Sequence, residues 1–276
     1  MINAETDLYC VFGRPVGHSK SPVIHNASFQ SLGINAVYLA FETDDIKKGM
    51  DAVRSLNIRG ASVTIPFKEE VMAYLDEIDP EAEQIGAVNT VHHTDGHLTG
   101  YNTDSKAAVN PLNPDDITGK QVCVIGAGGA AHAVAYGIAK QGGNLLIVNR
   151  NKDRGRNLAL KYNAGFIAQD RLARMDKLDA DIIINTTSVG MAPDSDATPL
   201  PGRLLNPEMI VMDVVYTPLN TRLLADARAT GCRTVDGLSM FIHQGAAQFK
   251  IWTGNDPDFK IMRNVLLNED RYNEDR

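Results

Sequence analysis

Gly126, Ala127, Gly128, Gly129, Ala130 and Ala131 follow directly on the apolar run Val122-Cys123-Val124-Ile125. A strand that feeds a G-x-G-x-x-A turn sets a helix N-terminus, with its unpaired N–H groups and positive dipole end, against a pyrophosphate. Residues without a side chain let the backbone come that close. A second apolar run, Leu145-Leu146-Ile147-Val148, ends in Asn149-Arg150, and Lys152 and Arg154 lie just beyond. An acidic residue there would bond the adenosine ribose 2′-hydroxyl, whereas cations suit a 2′-phosphate, so the pattern favours NADP over NAD. Asp153, in the same stretch, keeps NAD as the alternative. A chance Gly-rich string or a solvated basic turn would explain either feature alone. Both lose ground because strand, turn, a helix-like stretch over 130–140 stopped by Gly142-Gly143, and the next strand come in the order of one βαβ unit.

A nicotinamide cofactor transfers hydride, so the protein has to supply a proton donor or oxyanion stabiliser and groups that hold the substrate's polar edge. Three segments outside the cofactor motif offer them. In Gly13-Arg14-Pro15-Val16-Gly17-His18-Ser19-Lys20-Ser21-Pro22, Ser19 and Ser21 place two hydroxyls where a strand ends and a helix opens. They could hold a carboxylate or simply cap the helix, and both readings stand. Ser62-Val63-Thr64-Ile65-Pro66-Phe67-Lys68 is a second strand-to-helix junction. A helix over 68–75 puts Lys68 in a first turn, where the dipole disfavours a cation; either Lys68 has another duty or it faces solvent. Asn102-Thr103-Asp104 adds an amide and a carboxylate just before a run of turn formers over 110–116.

The elements that must position these groups read as α/β throughout. Strands are expected over 9–12, 36–41 and 60–65, with helices over 23–32 and 46–56 between them. Thr94-Asp95-Gly96 reads as the turn of a hairpin carrying His92, His93 and His97. From a surface ribbon those imidazoles would point in different directions, so no metal site is expected. Beyond a domain crossing near residue 105, strands are expected over 122–125, 145–148, 165–167, 180–185, 210–215 and 233–235. A final helix over 239–252, with Phe241, Ala246, Phe249 and Trp252 at core-like spacing, could return to the first domain.

Composition narrows the partners. The 276 residues are 43% hydrophobic and 22% charged, an ordinary globular balance with room for two domains. A net charge of −7 argues against a nucleic-acid or anionic-membrane surface and leaves a small molecule as the expected partner. No apolar run approaches the roughly 20 residues that span a bilayer. The acidic opening Met1-Ile2-Asn3-Ala4-Glu5-Thr6-Asp7 has no signal-peptide core, so a cytoplasmic location is expected. Cys10, Cys123 and Cys232 are too few and too scattered for a disulfide framework.

In order along nearly the whole chain, the segments G-x-P-x-x-H-S-x-S-P, V-T-I-P-x-K, G-A-V-N-T, N-T-D, G-A-G-G-A, N-R, N-x-T-S-x-G-M, the Tyr216 segment, D-G-x-x-M and Q-x-A resemble the motifs of the shikimate dehydrogenase family. The resemblance implies two α/β domains with a cleft between them. The first is a substrate-binding domain with a mixed sheet, residues 1–105 completed by C-terminal helices over 240–276; the second is a Rossmann-type NADP-binding domain over 106–239. It implies NADPH-dependent, reversible reduction of 3-dehydroshikimate to shikimate in aromatic amino acid biosynthesis, by a monomer or homodimer. Lys68 and Asp104 would be the catalytic pair, Ser19 and Ser21 would hold the carboxylate, and Thr64, Asn89, Asp104, Tyr216 and Gln244 would surround the ring. Ser62 stands where many members carry Asn as a substrate ligand, and Ala107 where many carry Gly. Gly126, Gly128, Gly129 and Ala130 would cradle the pyrophosphate, and Asn149, Arg150 and Arg154 the 2′-phosphate. Thr187 and Ser188 would lie near the adenosine, with Met212, Gly237 and Met240 around the nicotinamide. The rival readings are a quinate dehydrogenase using NAD and a non-catalytic metabolite sensor, the latter having no need for both Lys68 and Asp104.

Overall fold

The computed structural model describes residues 2–172 and 174–274, excluding the side chains beyond residue 268. The chain divides into two compact units: residues up to Thr103 together with those from Ile242 on, and Asp104–Phe241.

The first unit runs β1 (Asp7–Gly13), α1 (Ser21–Leu32), β2 (Ala36–Glu42), α2 (Ile46–Ser55), β3 (Gly60–Val63), a 3₁₀ turn (Glu70–Tyr74), β4 (Glu77–Ile78), α3 (Pro80–Ile85), β5 (Thr90–Thr94) and β6 (His97–Tyr101). Its six-stranded sheet has the order β2-β1-β3-β5-β6-β4. Strands β1, β2 and β3 are parallel, β5 runs against both β3 and β6, and β4 is parallel to β6. Side chains alternate across the sheet. Tyr9, Val11 and Tyr38 join Phe29, Phe249 and Trp252 on one face, while Cys10, Phe12, Ala61 and Val63 pack with Ile46, Met50 and Val53 on the other. Gly60 makes room on the first face, since a Cβ there would come within 2.4 Å of the Trp252 indole nitrogen, which donates 3.0 Å to the Val91 carbonyl. The hairpin turns at Asp95 (φ 51°) and Gly96 (φ 87°), the paired left-handed residues of a type I′ turn.

Two local expectations fail here. His93 does not sit on a surface ribbon: it is buried, with Nδ1 3.0 Å from the Ile58 carbonyl oxygen and Nε2 accepting from Gly96 N–H at 3.1 Å. Residues 68–75 do not form one helix, because 65–69 are a turn and the 3₁₀ segment begins only at Glu70. Lys68 is therefore outside any helical first turn, and the dipole argument for it lapses.

The second unit runs α4 (Asp104–Val109), α5 (Pro114–Ile117), β7 (Gln121–Ile125), α6 (Gly129–Lys140), β8 (Asn144–Asn149), α7 (Lys152–Lys161), β9 (Gly165–Ala168), α8 (Gln169–Leu172), β10 (Ile182–Asn185), a 3₁₀ turn (Gly202–Leu204), β11 (Ile210–Asp213), α9 (Arg222–Thr230) and β12 (Arg233–Val235). All six strands are parallel, in the order β12-β11-β10-β7-β8-β9. The order reverses between β7 and β10, the switch point of a doubly wound sheet, where dinucleotides bind outside the carboxyl ends. Buried on both faces, these strands read as continuous apolar runs. The helix α10 (Gly237–Thr253) begins in this unit and continues into the first, where α11 (Phe259–Glu274) packs on α1.

Candidate active site

In the first unit the polar groups gather where β1 and β3 end and β5 begins. Register places Ser62 opposite Val11 on one side and Thr90 on the other. Thr64 follows β3, and its methyl fills the space that a side chain at Gly13 would need, with Cγ2 2.4 Å from the ideal Cβ position. Ser19 and Ser21 lie at the start of α1, Ser19 Oγ accepting from Ser21 N–H at 3.3 Å. Ser19 thus does cap-like work, while Ser21 is buried. Lys68 is half-buried, and its carbonyl accepts from Val88 N–H at 2.8 Å, tying its main chain beside Asn89.

Asn89 is the centre of this cluster. Its Oδ1 accepts from Thr103 N–H (2.9 Å) and Thr90 Oγ1 (2.7 Å), and its Nδ2 donates to Thr103 Oγ1 at 2.9 Å. Gln248, from α10, donates to the Asn89 carbonyl (3.1 Å) and Thr90 Oγ1 (3.0 Å) and accepts from Ser62 Oγ at 2.9 Å. Tyr38 Oη donates to Ser62 Oγ at 2.6 Å. His25, fully buried, stacks on Tyr38 with ring centroids 4.5 Å apart. Burial lowers its pKa to about 3 against a weaker opposing effect from Gln248, so the ring is neutral. Gln244, one helical turn before Gln248, is half-buried.

In the second unit β7 is followed by Gly126, whose φ is +126° and whose missing side chain leaves room for Thr186 Oγ1, 2.3 Å from an ideal Cβ. Gly128 caps α6 with no side-chain hydrogen bond, and a Cβ on it would meet nothing within 4 Å. Gly129 and Ala130 open the helix, leaving N–H groups directed at that open cradle. A diphosphate fits. Asn149 Nδ2 donates 2.8 Å to the Asn151 carbonyl, and Asn151 caps α7 through Asp153 and Arg154 N–H. Arg150 and Arg154 are exposed beyond β8.

The adjacent loops are held by a carboxylate. Asp213, fully buried at the end of β11, accepts from Asn185 Nδ2 (2.9 Å), Val215 N–H (3.0 Å) and Thr221 Oγ1 (2.7 Å). Asn185 in turn accepts from Thr187 N–H (3.0 Å) and Thr187 Oγ1 (2.7 Å). Burial raises the Asp213 pKa to about 6, outweighing hydrogen bonds from Val215, Thr221 and Asn185. A carboxyl raised in the fold stabilises most below its unfolded value of 3.8 and loses that contribution as pH rises through about 6. Relative to Asp213→Asn, the protein should therefore lose about 2 kcal/mol of stability between pH 4 and pH 7. Denaturant unfolding of both proteins at the two pH values checks this; a pH-independent difference would show that Asp213 titrates normally.

Three family models cover most of the chain: the shikimate dehydrogenase substrate binding domain over residues 11–91, shikimate / quinate 5-dehydrogenase over 108–192, and the shikimate 5′-dehydrogenase C-terminal domain over 237–267. A shikimate dehydrogenase (NADP+) of Pyrococcus abyssi is 45% identical over 261 residues, 94% of this chain and 97% of the relative. The chain belongs to the shikimate dehydrogenase family. A crystal structure of a shikimate dehydrogenase in complex with NADP+ superposes with a TM-score of 0.90 at 41% identity, covering 98% of this chain and 97% of the other. That of the Thermus thermophilus enzyme in complex with NADP(H) and shikimate gives 0.85 at 36% identity, covering 94% and 98%.

Within this shikimate dehydrogenase fold, the structure draws Ser62, Asn89 and the main chain of Lys68 into one cluster, with Ser21 and Thr64 at its sheet edge. Asp104 is buried at the start of α4, directly after Thr103. Tyr216 stacks on Phe241, ring centroids 4.4 Å apart. Thr187 is half-buried and Ser188 exposed beside it. Gly237 lies against the Val214 and Val215 carbonyls, 2.6 and 2.5 Å from an ideal Cβ, so any side chain there would strike backbone. Met240 is nearly buried, whereas Met212 has no exposed surface and is part of the core under the sheet, which removes its side chain from direct contact with a nicotinamide. The sequence reading missed Tyr38, Gln248, Asn185, Asp213 and Thr221. A signal existed for two of them: Asn185 and Asp213 each end a fully apolar strand, Ile-Ile-Ile-Asn and Ile-Val-Met-Asp, where an uncompensated polar group would be costly.

Proposed function

We propose that this chain catalyses the NADP-dependent, reversible reduction of 3-dehydroshikimate to shikimate, a step of aromatic amino acid biosynthesis, in the cytoplasm and as a monomer or homodimer. Bound nicotinamide supplies the hydride. Lys68 gives a proton to the carbonyl oxygen as charge develops there, or stabilises that charge; Asp104 orients Lys68 and binds a ring hydroxyl. Ser19 and Ser21 hold the carboxylate. Ser62, Thr64, Asn89, Tyr216 and Gln244 hold the ring. The pyrophosphate rests on Gly126, Gly128, Gly129 and Ala130, the 2′-phosphate is held by Asn149, Arg150 and Arg154, and Thr187, Ser188, Gly237 and Met240 line the rest of the cofactor path. The observation that carries this reading is the Val88 N–H bond to the Lys68 carbonyl, because it fixes a cation-bearing residue beside the multiply bonded Asn89 amide.

Initial rates of shikimate and quinate oxidation, each with NADP and with NAD, test it. Shikimate with NADP should dominate, and replacing Arg150 and Arg154 together with Ala should raise the KM for NADP by about 10- to 100-fold with little effect on NAD. A dominant quinate or NAD rate would give the site to the alternative dehydrogenase, and an unchanged NADP KM would remove both arginines from the 2′-phosphate.

A further inference from the structure

The hydroxyl of Ser62 has a fixed proton direction, and main-chain atoms fix it. A carbonyl oxygen only accepts and an amide N–H only donates. The Gln248 end facing the Asn89 carbonyl at 3.1 Å must therefore be its NH₂, which turns Oε1 toward Ser62. The Asn89 atom facing Thr103 N–H at 2.9 Å must likewise be its oxygen, which takes the Thr90 proton and leaves Thr90 Oγ1 to accept from Gln248. Both amides point the same way. Ser62 consequently donates its one proton to Gln248 Oε1, at 2.9 Å. Tyr38, held protonated by burial, fills one Ser62 lone pair at 2.6 Å. A single lone pair remains.

We propose that Gln248 is a positioning residue that makes Ser62 an acceptor-only contact, so that this part of the pocket selects a substrate carrying a hydroxyl donor and rejects an oxygen or halogen that can only accept. The proposal rests on the reading of Ser62 as a substrate contact. Gln248 itself is 1% exposed. It lies on the same α10 face as Trp252, one turn further on, whose indole bonds to the Val91 carbonyl, and it bonds to residues of β3 and β5 and to the Asn89 carbonyl. Loss of its carbonyl would free the Ser62 hydroxyl to rotate and donate.

The test compares shikimate with its 4-fluoro and 5-fluoro analogues, in which one ring hydroxyl is replaced by an atom that cannot donate, by kcat/KM with NADP. Wild type should discriminate against one of the two by about tenfold or more. Ser62→Ala should lose that discrimination together with some activity on shikimate, and Gln248→Met should reduce it to within about threefold by releasing the Ser62 proton. Tyr38→Phe, which leaves the Ser62 proton on Gln248, should retain it. That split separates orientation from a general packing role, which would move both variants alike. Equal use of both analogues by the wild type overturns the inference without needing any variant to fold, as does undiminished discrimination in Ser62→Ala or in folded Gln248→Met. Failure of the wild type to oxidise shikimate at all would overturn the functional reading instead, and the two failures are distinct.

Discussion

Lys68→Ala should lower kcat for shikimate oxidation by about 10³-fold while leaving the affinity for NADPH within about threefold. Lys68 is half-buried and its backbone is anchored by Val88 N–H, so truncation removes the ammonium without removing the bond that shapes the turn. Its loss removes the amine that takes the hydroxyl proton during oxidation, and returns it to the carbonyl oxygen during reduction, together with the positive charge that then stands beside that oxygen, both felt mainly in the transition state. Lys68→Arg separates the two: guanidinium keeps the charge but does not give up a proton at neutral pH. If charge alone matters, Arg should recover much of the lost rate; if proton transfer dominates, it should recover little. Full activity in Lys68→Ala, measured by nicotinamide absorbance with NADPH binding followed by fluorescence, would remove Lys68 from the chemistry.

The Rossmann half was legible because its signals are local. Continuous apolar strands, a glycine turn and a basic strand end are each written within a few residues, and β7, α6 and β8 fall within about two residues of their expected limits. The first unit was less legible where distant partners decide. A helix over 68–75 fails because the Lys68 carbonyl, which an α-helix would turn toward residue 72, is taken by Val88 N–H instead. The short helix α3 had its signals in plain view, with an Asp79 cap accepting from Glu81 N–H at 2.9 Å, Pro80 in the first turn and a left-handed Gly86 at the end. The candidate site shows the same division. Ser19, Ser21, Lys68 and the glycines stand at strand ends, where sequence can find them. The pairing of Ser62 with Gln248 spans 186 positions, and nothing near either residue announces the other.

Gly126→Ala and Gly128→Ala should fail in different ways, although both sit in the same turn. At Gly126 the backbone has φ +126°, outside the regions an L-residue adopts readily, and the new Cβ would lie 2.3 Å from Thr186 Oγ1 and 3.3 Å from Thr187 Cγ2. Thr186 cannot turn aside freely, because its hydroxyl donates to the Ile125 carbonyl at 2.7 Å. Unfolding stability should fall by about 2–4 kcal/mol, and NADPH affinity by about 100-fold as the β7–α6 turn is displaced. Adding Thr186→Ala removes the clash but not the backbone strain, so stability should recover in part. Gly128 has ordinary backbone angles, φ −101° and ψ −174°, and a methyl there meets no protein atom within 4 Å. Stability should be unchanged within about 0.5 kcal/mol. The methyl instead occupies the cradle in front of the α6 N-terminus, so NADPH should still bind about tenfold or more weakly. Denaturant unfolding and fluorescence titration of the two variants read the two quantities separately. Normal NADPH affinity in Gly128→Ala would mean that the pyrophosphate does not rest there.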